Sequence, residues 1–108
     1  FKFLPPKAEA CCRIGYIFQT KGDYKTAAFW YELAAAQVPS FERWSFIYTA
    51  YYTWYPHLQL CVCYYNLKNY QKSYEHNEAA GKYRPYDRHI QHNRKLLEIM
   101  LSKESKGN

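Results

Sequence analysis

One pattern occurs twice in this chain. Residues 8–39 read AEACCRIGYIFQTKGDYKTAAFWYELAAAQVP, and residues 54–85 read WYPHLQLCVCYYNLKNYQKSYEHNEAAGKYRP. Cys11, Ile14, Gly15, Phe18, Ala27, Tyr31, Ala34 and Pro39 of the first copy are answered 46 residues later by His57, Leu60, Cys61, Tyr64, Ser73, Asn77, Ala80 and Pro85. Gly22-Asp23-Tyr24 and Lys68-Asn69-Tyr70 fall midway through each copy. Self-similarity at a fixed period marks one supersecondary unit used more than once, and such a unit buries its apolar face only by stacking on a neighbour.

The offsets resemble those of the tetratricopeptide repeat (TPR), a helix–turn–helix unit of about 34 residues with the signature W-x2-L-G-x2-Y, then A-x3-F, then P. The resemblance implies physical roles. Gly15 and Cys61 are small where two helices cross closely, as are Ala27, Ala34, Ser73 and Ala80 on the second helix of each pair. Tyr24 and Tyr70 fill space at the turn. Pro39 and Pro85 end the second helix, because proline lacks an N–H and clashes with the preceding turn. The first copy matches well; the second departs at His57, Cys61, Ser73 and Asn77 while roughly keeping residue size. A spacing of 46 instead of about 34 places an insertion of about twelve residues within 40–53, SFERWSFIYTAYYT. A helix is expected to restart near Trp54, with Pro56 in its first turn.

The remaining segments frame the repeats. Residues 1–7, FKFLPPK, read as a linker from a preceding domain, since two prolines favour an extended approach. Residues 87–103 carry Ile90, Leu97, Ile99, Met100 and Leu101 at helical spacing, with Asp87 as N-cap. Arg94 and Lys95 stand where the repeat would place leucine and glycine, so this helix is expected to cap the stack. Residues 104–108 are expected to form a flexible tail. The expected fold class is all-α: a TPR-like α-solenoid domain over residues 8–103, with repeat one at 8–39, the insertion at 40–53, repeat two at 54–85 and the capping helix at 87–103.

Composition narrows the function classes. A length of 108 residues fits one domain. No run of 18 apolar residues exists, so no membrane-spanning helix is expected. The start has neither Met nor a signal-like apolar stretch, and the chain is expected to be a piece of something longer. Two repeats are fewer than the three or so that a self-sufficient stack needs. The insertion, the cap, a flanking domain or a second copy of the chain would supply the missing core.

The strings PPKAEACCRIGYIF, FWYELA, TWYPHLQLCVCYYNL, KSYEHNEAAGKYRPYD and HNRKLLE go beyond the general repeat. Together they resemble the C-terminal helical region of bacterial family 2 glycosyltransferases, the group related to peptide S-glycosyltransferases. The resemblance runs from about Leu4 to Met100 and includes the insertion and the cap. In that family an N-terminal nucleotide-sugar domain with a metal-binding aspartate motif does the chemistry. No such motif is present, since Asp23 and Asp87 are the only aspartates. The resemblance implies a non-catalytic appendage, so the fragment itself is expected not to be an enzyme and to need no cofactor.

The cysteines and histidines are the remaining residues with reactive or metal-binding chemistry. Cys11-Cys12 and Cys61-x-Cys63 supply four thiols. Adjacent helical residues diverge by about 100° and alternate ones by about 200°. Neither spacing is the C-x2-C knuckle of zinc sites, so the cysteines read as buried small apolar residues, reduced in a cytoplasmic setting. His89 and His92 share a helix face without a third ligand at suitable spacing, and no metal site is expected.

By resemblance to the repeat family, positions 2, 5, 9, 12 and 13 of each first helix line a concave groove. Here these are Tyr16, Gln19 and Thr20, then Tyr55, Leu58, Val62, Tyr65 and Asn66, with Glu9 and Cys12 beside them. Tyrosine suits protein recognition because it offers a large amphipathic surface with few rotors. The formal charge is +6, concentrated at the end of the chain on Lys82, Arg84, Arg88, Arg94, Lys95, Lys103 and Lys106, away from most of this groove. Nucleic-acid binding through stacking and phosphate contacts is therefore the weaker expectation. The leading one is a protein-interaction or assembly module that binds a protein or peptide, or self-associates, beside a preceding catalytic domain. The alternative is direct completion of an enzyme's acceptor site by the aromatic groove.

Overall fold

A computed structural model describes residues 8–36 and 53–106. It is all-α. Five helices lie among the described residues: α1 (Ala8–Thr20), α2 (Tyr24–Ala35), α3 (Trp54–Asn66), α4 (Tyr70–Tyr83) and α5 (Arg88–Lys106). Each packs against the next: α1 on α2, α2 on α3, α3 on α4 and α4 on α5. The expected linker at 1–7, the insertion apart from Thr53, Pro39 and the last two residues lie outside the described residues.

The 46-residue period survives at the level of single hydrogen bonds. Asp23 N–H donates to the Phe18 carbonyl over 3.0 Å, and Asn69 N–H donates to the Tyr64 carbonyl over 2.9 Å. Gly22 N–H donates to the Gln19 carbonyl and Lys68 N–H to the Tyr65 carbonyl, each over 3.0 Å. These paired bonds form a Schellman motif, which satisfies carbonyls left open at a helix C-terminus. It needs one left-handed residue, supplied by Gly22 (φ 80°) and Lys68 (φ 64°). The next residue caps the following helix: Asp23 Oδ1 accepts from Thr26 N–H and Asn69 Oδ1 from Lys72 N–H, each over 3.2 Å. Both hairpins thus turn by one mechanism, although glycine serves the first and lysine the second.

The hairpins differ where their helices cross. A Cβ on Gly15 would meet the Tyr31 ring at 3.1 Å, so glycine is what admits the buried tyrosine. At the equivalent places of the second hairpin stand Cys61 and Asn77. Cys61 Sγ lies 3.4 Å from Ser73 Oγ and 3.8 Å from Asn77 Oδ1. Residue size is therefore not kept position by position, as the sequence suggested. Volume lost at the tyrosine position is partly regained at the glycine position. The buried core joins α1, α2 and α3 through Ala8, Cys11, Cys12, Ala27, Ala28, Tyr31, Ala34, Leu60 and Cys63.

Helix α4 ends at Tyr83, and Arg84 leaves the helix with φ −136° and ψ 68°. Its φ lies in the extended range a residue before proline favours, while its ψ falls short of that range. Asp87 caps α5, accepting from His89 N–H at 2.8 Å and Ile90 N–H at 3.3 Å. Helix α5 runs to Lys106 instead of ending at Lys103, so residues 104–106 of the expected flexible tail are helical. The segment LSKESK holds no glycine or proline to break the helix.

Candidate functional site

The residues expected to form one groove are divided between two hollows on either side of α3. Tyr16 and Tyr55 share the first with Cys12, Arg13 and Ile17, in an open depression of about 480 Å³ between α1 and α3. Val62, Tyr65 and Asn66 share the second with Cys61, Asn93, Leu96 and Leu97, in a smaller cleft of about 130 Å³ between α3 and α5. Drug-sized ligands occupy clefts of roughly 300–1,000 Å³. The second hollow falls below that range, and the first lies within it but is wide and open.

Exposure separates the expected residues further. Tyr16 is 55% exposed and Ile17 50%, an uncovered apolar pair on α1. Tyr55 is half-buried against the Tyr31 ring, with centroids 6.4 Å apart. Tyr65 leans edge-on against Tyr70 at 5.4 Å. Gln19 is engaged inside the fold: its Oε1 accepts from the Tyr31 hydroxyl at 2.7 Å, and its Nε2 donates to Gln59 Oε1 at 3.1 Å. Thr20 and Asn66 turn back onto their own helices, donating to the Ile17 and Val62 carbonyls over 2.8 Å each. Leu58 is half-buried and lines neither hollow. Tyr16, Tyr55, Val62, Tyr65 and one face of Asn66 thus remain in or beside the hollows.

A second constellation lies outside the expected groove. The Tyr64 hydroxyl donates to Glu32 Oε2 over 2.7 Å. Glu32 Oε1 lies 3.7 Å from His76 Nε2, and His76 Nδ1 lies 2.9 Å from His57 Nδ1. The His76 ring stacks on Tyr64, with centroids 5.6 Å apart, and on His57, 5.2 Å apart. Burial lowers the pKa of both histidines; each ring's other influences differ, with His76 adding to the shift of His57 and Glu32 opposing it in both. Sequence offers one signal for this cluster: His57 stands where the first copy buries Cys11.

The four cysteines are all buried, and none is in a disulfide. Burial pushes the thiols of Cys12 and Cys63 up to about 12 and raises those of Cys11 and Cys61, so none is a ready nucleophile. No group of His, Cys, Asp or Glu among the described residues is arranged to hold a metal ion. Part of the basic charge near the end of the chain is already engaged. Arg94 Nε donates to Glu78 over 2.7 Å, and Arg84 pairs with Asp87 while lying 4.4 Å from the Trp54 ring centroid. No helix among the described residues is long and apolar enough to cross a membrane. Comparison with models of protein families, with curated proteins and with solved structures gave no match.

Proposed function

We propose that this chain is a TPR-like interaction or assembly module, without catalysis of its own, attached to a cytoplasmic bacterial glycosyltransferase of family 2. One observation carries the interaction reading. Two hollows flank α3, and aromatic side chains line both while remaining outside the buried core. Such side chains are enriched where proteins meet, because they bury large area at small entropic cost. The repeated Schellman turns and the close Gly15–Tyr31 crossing support the repeat reading. The glycosyltransferase link rests on the resemblance of the strings between Leu4 and Met100.

The partner is a protein surface that sets one apolar side chain between Val62, Tyr65 and Leu96 and spreads over Tyr16 and Tyr55. This would position an acceptor protein or join two enzyme copies. Removing this region from its parent enzyme is expected to weaken dimerisation or acceptor-protein affinity at least tenfold, about 1.4 kcal/mol. Unchanged values for both would overturn the proposal. Loss of turnover at unchanged affinity would favour the alternative, in which the aromatic hollows complete the acceptor site.

A further inference from the structure

Helices α2, α3 and α4 meet at a chain of polar groups that plays no part in the proposed contact surface. Its links constrain one another. Two Nδ1 atoms 2.9 Å apart require that one carry a proton and the other a lone pair. Glu32 settles which. Its Oε1 faces His76 Nε2 at 3.7 Å, so a proton on that nitrogen is attracted and a lone pair repelled. His76 then holds its proton on Nε2 and accepts at Nδ1, while His57 donates from Nδ1. Tyr64 holds Glu32 in place through its 2.7 Å hydrogen bond.

The arrangement has room for one further proton but not two. The first added proton sits on His57 Nε2 and leaves the Nδ1–Nδ1 bond intact. The second would have to occupy His76 Nδ1, placing two N–H groups and two positive rings against each other at 2.9 Å. The surrounding charges are few. Glu32 faces the pair from α2, Tyr64 from α3, and Lys72 and Glu75 from α4. Lys72 Nζ lies 5.3 Å from the Tyr64 ring centroid and disfavours further positive charge. From α5, Arg94 engages Glu78, which lies two residues beyond His76 and so roughly opposite it on α4.

We propose that His57 and His76 form an acid-sensitive latch between α3 and α4, closed while one proton bridges their Nδ1 atoms and opened when both rings become cationic. The latch fastens the second hairpin internally and, through Glu32, to α2. Opening it loosens the hairpin that carries Val62, Tyr65 and Asn66. The sign follows from burial, which holds both imidazoles below their ordinary value of 6.5. The unfolded chain then binds protons more readily than the folded one. The latch's contribution is complete above about pH 6.5 and is lost as pH falls through the lower folded values.

Nitrogen NMR of the full chain, titrated from about pH 8 to about pH 4.5, tests this without any substitution. At the alkaline end, His57 is expected as the Nδ1–H tautomer and His76 as the Nε2–H tautomer. The two rings are expected to take up protons in separate steps, with the amides of α3 and α4 shifting at the second. The same tautomer in both rings, or independent titration without amide shifts, overturns the latch. A second arm compares urea midpoints at about pH 7 and about pH 5. The wild type is expected to lose more than the double variant H57F/H76F, and an equal loss in both overturns the proposal. Should that variant not fold, the NMR titration alone decides.

Discussion

The two hairpins share a backbone plan and differ in what they bury. The first crosses on Gly15, Ala27, Tyr31 and Ala34, an apolar joint whose one hydroxyl is satisfied by Gln19. The second crosses on Cys61, Ser73, Asn77 and Ala80, a joint threaded with polar groups. Ser73 donates to the Cys61 carbonyl over 2.7 Å, and Asn77 Nδ2 donates to the Ile90 carbonyl on α5 over 3.0 Å. No buried side-chain nitrogen or oxygen among the described residues lacks a partner. The comparison teaches that turn chemistry, not the identity of the crossing residues, preserves the hairpin. Once the crossing becomes polar, the hairpin depends on its neighbours. The one hydroxyl at the crossing of hairpin one is satisfied within that hairpin, whereas hairpin two needs α5 to satisfy Asn77 and α2 to hold Tyr64.

Four substitutions probe that contrast in order of expected size. Tyr31→Ala should be the most damaging, because it empties a fully buried site beside a glycine that offers nothing to refill it. A loss of about 3–5 kcal/mol in urea unfolding is expected, and a loss below about 1 kcal/mol would show that the apolar joint is not where hairpin one is held. Asn77→Ala should cost about 1–3 kcal/mol by stripping a buried polar link. Its distinguishing effect is on α5: amide exchange there should quicken more than in α1 or α2, whereas a uniform change would break the claim that hairpin two leans on α5. The smallest effects belong to the left-handed turn residues. Gly22→Ala should destabilise by about 1–2 kcal/mol. Lys68→Gly should stabilise by less than about 1 kcal/mol, since relief of strain is partly offset by a freer unfolded chain. Effects of the same sign at both would contradict the equivalence of the two turns.

Much of the local plan was legible in the sequence because its causes are local. Asp87 as N-cap, Pro56 in a first turn, helix termination ahead of Pro85 and the two turn triplets all act within a few residues. Side-chain partnerships were legible only in part. Gln19 lies at a groove offset, yet its amide is engaged by Tyr31 and by Gln59, which is 40 residues away. His57, His76, Glu32 and Tyr64 carry no common spacing and meet only because α2, α3 and α4 pack together. The single expected groove became two hollows because α3 stands between them, with Tyr55 on one side and Val62, Tyr65 and Asn66 on the other. Helical periodicity assigns a face but not the relief of the surface that neighbouring helices build.

The central claim is that the side chains lining the hollows beside α3 form a contact surface. The most direct measurement is the affinity of the proposed parent glycosyltransferase for its acceptor protein, together with the transferase's own dimerisation constant, with and without the double substitution Y16A/Y65A. At least a tenfold weakening of one constant, about 1.4 kcal/mol, is expected with helicity and nucleotide-sugar affinity unchanged. Wild-type values for both constants in a folded double variant would contradict the account.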